Sequence, residues 1–278
     1  MGSKLRKQFE DHMTLRGFAP KTKEAYVSAL ASLAVYYRLS PDGLTNAQIQ
    51  SYLVHLIRER KLSWSSCNVA ISAFRCFYGN LLKRDSSQFE IPPRPRIHRL
   101  PRLLSEKEVR RIIKVTENPK HHAMLMTVYG AGLRVSEVVR LKPVHIESDR
   151  KLIRVEQGKG RKDRYTILPD RLLVELRSYW KECQPGPWLF FGERRDVPMS
   201  DRTAQKVYNH AREKAGVTGG SGIHTLRHCF ATHLLDRGTS INVIKQLLGH
   251  TNLGTTVGYL HTTLESLQKI RSPLDDLY

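Results

Sequence analysis

The segment His224-Thr-Leu-Arg-His-Cys-Phe-Ala-Thr-His233 overlaps a stretch, residues 225–237, whose apolar positions recur at helical spacing. Two of its basic residues, His224 and Arg227, are three positions apart, and on a helix this spacing places both side chains on one face. The segment therefore predicts a helix that presents an imidazole and a guanidinium together. An ordinary basic helix face has the same spacing, so only partner residues elsewhere in the chain distinguish a site from a surface.

Upstream, two further basic residues have distinctive settings. Arg134 follows Gly130-Ala-Gly132 at a predicted helix start, where backbone amides favour an anion. Lys159 lies in Gly158-Lys-Gly160, between the apolar-rich segments 152–155 and 165–168, which predicts a β-hairpin with a basic turn. Downstream, His250 ends Leu248-Gly-His250, and Tyr259 follows Thr255-Thr256. Five basic donors and one tyrosine suit a phosphodiester, because cations stabilise the phosphate and a tyrosine hydroxyl can attack it.

At these residues the chain resembles the tyrosine recombinase family, also called the phage-integrase family, and within it the compact Xer-like members. The resemblance rests on several motifs in the family's order, which together are far more specific than any one alone. The matching motifs are Gly132-Leu-Arg134 with Ser136-Glu137, Gly158-Lys-Gly160, His224-Thr-Leu-Arg-His228 with Phe230-Ala-Thr-His233, Leu248-Gly-His250, and Thr255-Thr256 with Tyr259 and His261.

The resemblance implies a DNA strand-cleaving enzyme with catalytic residues Arg134, Lys159, His224, Arg227, His250 and Tyr259. Two guanidiniums can hold the nonbridging oxygens of a phosphate as negative charge develops there. Tyr259 is the expected nucleophile and His224 its expected proton acceptor, while Lys159 is the expected general acid for the leaving 5′ oxygen. His250 is expected to donate a hydrogen bond to the phosphate. The implied product is a 3′-phosphotyrosyl intermediate, which requires neither ATP nor a metal or other cofactor.

Some side chains near these motifs have two interpretations. Glu137, three residues after Arg134, could orient a neighbouring basic group or form a surface pair, and the sequence favours neither. His224 and His228 have the spacing of a helical metal pair, but no acidic residue lies between them and Arg227 would repel a dication, so we expect no metal there. All six site residues are expected to converge on a pocket about the size of one phosphate.

Composition indicates which partners the chain can have. Its 278 residues hold 46 Lys and Arg against 26 Asp and Glu, a formal charge of +20, and basic residues are in excess both before and after residue 100. We therefore expect double-stranded DNA as the partner, and no membrane, since the chain shows no basic amphipathic helix with an aromatic face. The four cysteines lack CxxC spacing and no secretory segment is evident, which predicts a reduced, cytoplasmic protein.

The predicted fold is mainly α and has two domains. Residues 1–83 form an N-terminal four-helix core-binding (SAM-like) domain, 84–101 a Pro/Arg-rich linker, and 102–278 an α+β catalytic domain with a small β-hairpin or sheet. Capping boxes at Thr45-Asn-Ala-Gln48 and Ser105-Glu-Lys-Glu108 predict two helix starts. A fourth N-terminal helix is expected over 64–82, and residues 262–278 form an apolar-faced tail that could dock in cis or onto a neighbouring subunit.

Alternative functions remain open at this stage. A type IB topoisomerase-like nicking and closing enzyme would use the same residues, and a noncatalytic DNA-binding protein could keep the same fold. The Xer-like compactness and the tail favour recombination, in a homo-oligomer that forms a tetramer on two DNA sites, or in a hetero-oligomer with a related recombinase. The DNA target, its spacer and the biological role cannot be read from these residues.

Overall fold

The protein forms two units with separate apolar cores. The computed structural model describes residues 3–93, 103–156 and 163–249. Contacts divide the chain into Met1–His98 and Arg99–Tyr278. Helices make up most of the described residues, and the sheet found there has three short strands. The prediction of a mainly helical protein with a small sheet in its C-terminal part is confirmed.

The first unit is a helical bundle. Its helices are α1 (Ser3–Leu15), α2 (Pro20–Tyr37), α3 (Asn46–Arg58) and α4 (Trp64–Phe74). The predicted capping box begins α3: the Thr45 hydroxyl accepts from the Gln48 backbone N–H at 3.2 Å, and the Gln48 side chain accepts from the Thr45 N–H at 2.8 Å. Two of the four orphan amides at this helix start are satisfied by this exchange and need no water.

The predicted helix over 64–82 changes type partway. After α4 the chain continues as a π-helical turn, Arg75–Leu81, in which the consecutive rings of Phe77 and Tyr78 are both fully buried. The Tyr78 hydroxyl donates to the Pro41 carbonyl at 2.6 Å, so its polar end is satisfied inside the core. Apolar spacing indicates a helix, but it does not separate four-residue from five-residue hydrogen bonding.

The second unit combines its sheet with seven α-helices and one short 3-10 helix, Pro143–His145, among the described residues. The α-helices are α5 (Glu106–Lys114), α6 (Pro119–Ala131), α7 (Val135–Val138), α8 (Asp170–Cys183), α9 (Asp201–Lys214), α10 (His224–Asp236) and α11 (Ile241–Leu248). The predicted capping box of Ser105 and Glu108 begins α5, with reciprocal hydrogen bonds of 3.3 and 2.9 Å. Within the described residues, no helix has the length and apolar character needed to cross a membrane.

The sheet is antiparallel with strand order β1-β2-β3. Its strands are β1 (Ile146–Glu147), β2 (Leu152–Val155) and β3 (Arg164–Ile167), and Val155 pairs with Arg164 at one end of the hairpin. The predicted hairpin is therefore confirmed, whereas the two-residue strand β1 is too short to leave an alternating pattern in the sequence. The turn of the hairpin, residues 157–162, lies outside the described residues.

Two buried hydrogen-bond systems fix the helices that carry the candidate site. The Thr166 hydroxyl of β3 donates to the Ala131 carbonyl at 2.8 Å, which ties the sheet to the end of α6. On α10, His233 Nε2 lies 3.0 Å from the Leu104 carbonyl, and Nδ1 lies 2.9 Å from the Tyr129 hydroxyl. Because a carbonyl can only accept, Nε2 carries the proton and Nδ1 accepts from Tyr129. This half-buried imidazole thus joins α6 and α10 to Leu104, the residue before the N-cap of α5.

Candidate active site

The structure describes three of the six predicted catalytic residues: Arg134, His224 and Arg227. The other three, Lys159, His250 and Tyr259, lie outside the described residues, and their places in the site stay predictions. Arg134 lies between α6 and α7, and the other two belong to α10. His224 and Arg227 are three positions apart on one helix, whereas Arg134 comes from another part of the fold, so its relation to them is set by packing.

The position of Arg134 is set by the tight turn that ends α6. Gly132 ends that helix in a left-handed conformation, with φ of 64°, and a Cβ there would lie 2.4 Å from the ring of Phe230. Only glycine fits this position, because a side chain would be strained and would overlap the ring. The chain therefore turns tightly, and Arg134 emerges as the residue before α7.

The Arg134 guanidinium is oriented by a carboxylate. Its Nη1 donates to Glu137 Oε1 at 2.7 Å, and its backbone N–H donates to Glu137 Oε2 at 2.8 Å. Helix α7 has only four residues, and this N–H is already satisfied. This amide is therefore not open to an anion, and Glu137 is what positions the guanidinium. The expectation that neighbouring helix amides bind an anion stays a prediction. The side chain keeps 21% exposure, enough to reach a substrate.

Glu137 is the centre of the site, and its side chain is only 6% exposed. Besides Arg134, it binds Arg164 through two parallel hydrogen bonds of 2.8 Å, and Arg227 Nη1 lies 3.5 Å from Oε2. Of the two interpretations drawn from the sequence, the orienting role is confirmed and the surface pair is wrong. Three guanidiniums from three elements thus share one buried carboxylate.

Glu137 stays ionised because of these partners. Burial alone would raise the pKa of this carboxyl, but the hydrogen bonds and charge of Arg164, the backbone N–H of Arg134 and the charge of Arg227 outweigh it and lower the pKa to about 2. Glu137 is therefore ionised throughout the physiological range, and the geometry of the three arginines does not depend on its titration.

Arg227 is buried, with a side chain only 4% exposed. Its Nη1 donates to the Gly132 carbonyl at 2.6 Å, and its Nη2 donates to the Leu248 carbonyl at 2.7 Å. These carbonyls lie at the C-terminal ends of α6 and α11, where unpaired acceptors and the helix dipole favour a cation. Arg227 therefore joins α6, α10 and α11 at one point.

Arg164, the first residue of β3, was not identified from the sequence as a site residue. Its Nε donates to the Leu247 carbonyl at 2.9 Å in addition to the two bonds with Glu137, and its side chain is 10% exposed. The one sequence feature that could indicate a role for Arg164 is its position at the end of the basic turn, but several basic residues share that turn. Spacing in the chain does not show which of them faces Glu137.

His224 begins α10 and is exposed at the surface. Partial burial of its ring lowers its pKa, and the positive charges of Arg227 and Arg134 lower it further, against smaller opposing effects of Glu137 and Asp201. His224 and Arg227 are three positions apart on α10, which places their side chains on one face of the helix. A lowered pKa keeps the ring neutral at neutral pH, which is the state that can accept a proton.

A cleft of about 510 Å³ opens beside Arg134. Its wall adds two basic side chains, Arg140 and Lys142, and the partly exposed indole of Trp188, whose ring centroid lies 5.5 Å from Lys142 Nζ. The carboxylates of Glu137 and Glu156 line the same cleft, whose volume is larger than one phosphate. Within the described residues, no group of three or more His, Cys, Asp or Glu side chains is placed to hold a metal.

Comparison with known proteins agrees with this geometry. Residues 102–265 match the Phage integrase family, and residues 5–88 match the phage integrase N-terminal SAM-like domain. The tyrosine recombinase XerA of Thermococcus kodakarensis is 34% identical over 268 residues, which cover 94% of this chain and 92% of that protein.

Solved structures give the same result. A crystal structure of XerA recombinase aligns with a TM-score of 0.58 and 28% identity, covering 97% of this chain and 99% of that one. The Tn1549 transposon integrase, solved in complex with circular intermediate DNA, aligns with a TM-score of 0.71 at 16% identity, covering 95% and 97% of the two chains, which shows a shared fold. The chain therefore belongs to the phage integrase family, as a compact Xer-like tyrosine recombinase.

Proposed function

We propose that this site-specific recombinase cleaves and rejoins double-stranded DNA through Tyr259. The observation that carries the proposal is the arginine cluster: Arg134 and Arg227, the two residues expected to hold the phosphate, lie on one buried carboxylate, with His224 beside them. A preorganised pair of guanidiniums is what a phosphodiester needs as it gathers charge on the way to its pentacoordinate state. The excess positive charge of the whole chain supports DNA as the substrate.

The proposed first step exchanges one phosphoester bond for another. The Tyr259 oxygen attacks the scissile phosphorus and loses its proton to His224, whose lowered pKa keeps it ready to accept. The bond from phosphorus to the 5′ oxygen breaks, and Lys159 gives that oxygen a proton. His250 donates a hydrogen bond to the phosphate. The product is a 3′-phosphotyrosyl enzyme and a free 5′-hydroxyl.

The proposed second step reverses the first with a different strand. A 5′-hydroxyl from the partner DNA attacks the phosphorus and gives its proton to Lys159. The bond from phosphorus to the Tyr259 oxygen breaks, and His224 returns a proton to that oxygen. The energy of the phosphodiester is conserved in the protein–DNA bond, so we propose that neither ATP nor a metal takes part. Reclosure without exchange of strands would give nicking and closing of DNA as in a type IB topoisomerase; the relatives are recombinases, which does not favour that alternative.

We propose the following division of labour along the chain. Residues 1–83 bind the core DNA site, 84–101 link the domains, and 102–278 carry catalysis and a tail that contacts a neighbouring subunit. The DNA complex of the Tn1549 integrase supports binding of a duplex. Exchange between two duplexes requires one nucleophile for each of four strand ends, which supports a tetramer of this chain or of this chain with a related recombinase. Action on intracellular DNA supports a cytoplasmic location.

Covalent capture on nicked DNA tests the proposal. A pool of duplexes with randomised flanks, each nicked near its centre, is incubated with protein in EDTA, because loss of the short fragment beyond the nick traps the adduct. Wild type is compared with Tyr259→Phe and with Tyr165→Phe, a matched control on an exposed tyrosine of β3. An SDS-resistant adduct in wild type and in Tyr165→Phe, and its loss in Tyr259→Phe, is the expected result.

Two other results would contradict the proposal. Tight DNA binding with no adduct from any member of the pool would favour a noncatalytic DNA-binding protein. Relaxation of supercoiled plasmid without recombinant products, when two copies of a captured site are supplied, would favour the nicking and closing activity.

A further inference from the structure

We propose that Arg164 is a positioning residue for strand cleavage: it fixes Glu137, and through it Arg134, while holding the end of α11 in place. This inference rests on the proposed function, because it concerns the same phosphate site. It adds a residue that contacts neither phosphate nor nucleophile in our scheme. Its effect is exerted through the two groups that it binds.

Each of the three nitrogens of the Arg164 guanidinium donates to a protein acceptor. Its Nη1 and Nη2 each donate to one oxygen of Glu137 at 2.8 Å, and its Nε donates to the Leu247 carbonyl at 2.9 Å. The side chain is 10% exposed. These three bonds direct the guanidinium of Arg164 to the protein's own acceptors, which distinguishes it from the exposed basic residues of the same unit.

The paired bonds to Glu137 fix the plane of that carboxylate. Arg134 Nη1 then binds the same Oε1 atom at 2.7 Å, so the direction of the Arg134 guanidinium follows from the orientation that Arg164 imposes. Arg227 Nη1 lies 3.5 Å from the other oxygen, Oε2. A rotation of the Glu137 carboxylate would therefore displace both residues proposed to hold the phosphate.

The third hydrogen bond of Arg164, to the Leu247 carbonyl, also fixes the end of α11. Leu247 and Leu248 present their carbonyls to two different arginines, Arg164 and Arg227, which are joined by Glu137. At Gly249 a Cβ would lie 2.6 Å from Arg164 Cδ, so the chain passes directly against the arginine stem as α11 ends. Arg164 thereby sets the position at which the chain leaves α11.

Lysine cannot reproduce these contacts. An ammonium is a single point of charge, whereas the guanidinium plane satisfies two carboxylate oxygens and a carbonyl at once. Arg164→Lys would keep a positive charge near Glu137 and lose the fixed orientation. We therefore expect Arg164→Lys to retain the fold and to cleave slowly, with Arg164→Gln more severely affected.

The test measures single-turnover cleavage and DNA affinity for Arg164→Lys, Arg164→Gln and the control Arg150→Gln. Arg150 belongs to the same sheet region but is exposed and pairs with Glu147 at the surface. We expect Arg164→Lys to bind DNA within about threefold of wild type and to cleave about 10- to 100-fold more slowly, because small displacements of catalytic groups have effects of this size. Arg150→Gln should match wild type in both.

The pH profile distinguishes positioning from a general loss of structure. Without the bonds from Arg164, the pKa of the buried Glu137 rises, so the cleavage defect should deepen as the pH falls from 8 to 5, whereas a purely structural defect would be constant. Cleavage within twofold of wild type by folded Arg164→Lys would overturn the proposal. Loss of DNA affinity that accounts for the whole defect would also overturn it, since Arg164 would then be a phosphate contact.

An assay without DNA separates this inference from the proposed function. If wild type formed no adduct, the proposed function would fail, and the link between Arg164 and Glu137 would still be judged by acid unfolding. Arg164→Gln should lose stability at a higher pH than wild type, because its Glu137 protonates sooner. An unchanged acid transition in folded Arg164→Gln would contradict the link.

Discussion

Replacing Glu137 with glutamine tests how much the shared carboxylate contributes to the stability of the catalytic unit. In the folded state its pKa is about 2, against an ordinary value of 4.5. At about 1.36 kcal/mol per unit of pKa, this difference corresponds to about 3 kcal/mol of stabilisation by the ionised form. Removal of one partner from a buried ion pair has a similar cost, about 3–5 kcal/mol. We therefore expect Glu137→Gln to lower the free energy of unfolding by about 3 kcal/mol at pH 7.

The pH dependence of this loss has a definite sign. Because the folded pKa is lowered, the contribution is complete above the unfolded pKa of about 4.5 and is lost as the pH falls towards about 2. Glutamine does not titrate. The gap in unfolding free energy between wild type and Glu137→Gln should therefore be constant from pH 7 to pH 5 and narrow by about 2 kcal/mol by pH 3.

Urea unfolding of the full chain measures the gap. The protein has three tryptophans, and Trp64→Phe as a common background leaves Trp180 and Trp188, so fluorescence then reports only on the second unit. The other carboxylates titrate equally in both proteins, so their contribution to the difference in unfolding free energy cancels. A gap below about 1 kcal/mol at pH 7, or one that stays constant down to pH 3, would refute the view that three arginines stabilise this carboxylate.

Three further predictions follow from contacts of the same unit. Gly132→Ala should lower the unfolding free energy by at least about 2 kcal/mol, because its left-handed backbone and the ring of Phe230 both oppose a Cβ, and a loss below about 0.5 kcal/mol in urea unfolding would contradict this. The cleavage rate should rise with pH through the lowered pKa of His224 and then level, and His224→Gln should lose that rise; a pH–rate profile of equal shape in both proteins would exclude His224 as the base. Tyr129→Phe should lower the free energy of unfolding by about 1–2 kcal/mol, because His233 Nδ1 loses the hydroxyl that donates to it. An unchanged free energy of unfolding in chemical denaturation would contradict the assigned tautomer of His233.

Local chemistry made much of the fold predictable. Both capping boxes begin helices where expected, because their hydrogen bonds involve residues three apart and depend on nothing distant. The hairpin of β2 and β3 and the helices around it also follow from short-range apolar spacing. The π-helical turn at Arg75–Leu81 does not follow from apolar spacing, which is the same for both helix types to within one residue.

The sequence proposes which residues form the site, and three of the six proposed residues lie within the described part of the chain. Arg134, His224 and Arg227 were recognised by motif, and the structure brings them together, yet the motif does not show what holds them. The sequence leaves two roles open for Glu137, and its burial in the structure decides between them. For Arg164 the sequence suggests no role in the site, and its place there is seen only in the structure. Their pairing joins residues 27 positions apart across a strand and a helix, a relation that only the folded core establishes.

The shared carboxylate also has a consequence for when the protein can act. Glu137 and Arg227 are 90 positions apart, and Arg164 and Arg227 each require carbonyls at the end of α11. A ribosome-bound or proteolysed chain that lacks α11 cannot assemble the guanidinium pair, even with Arg134 and Glu137 already in place. The proposed phosphate-binding pair therefore becomes complete only after residues as far along the chain as Leu248 have been made and folded.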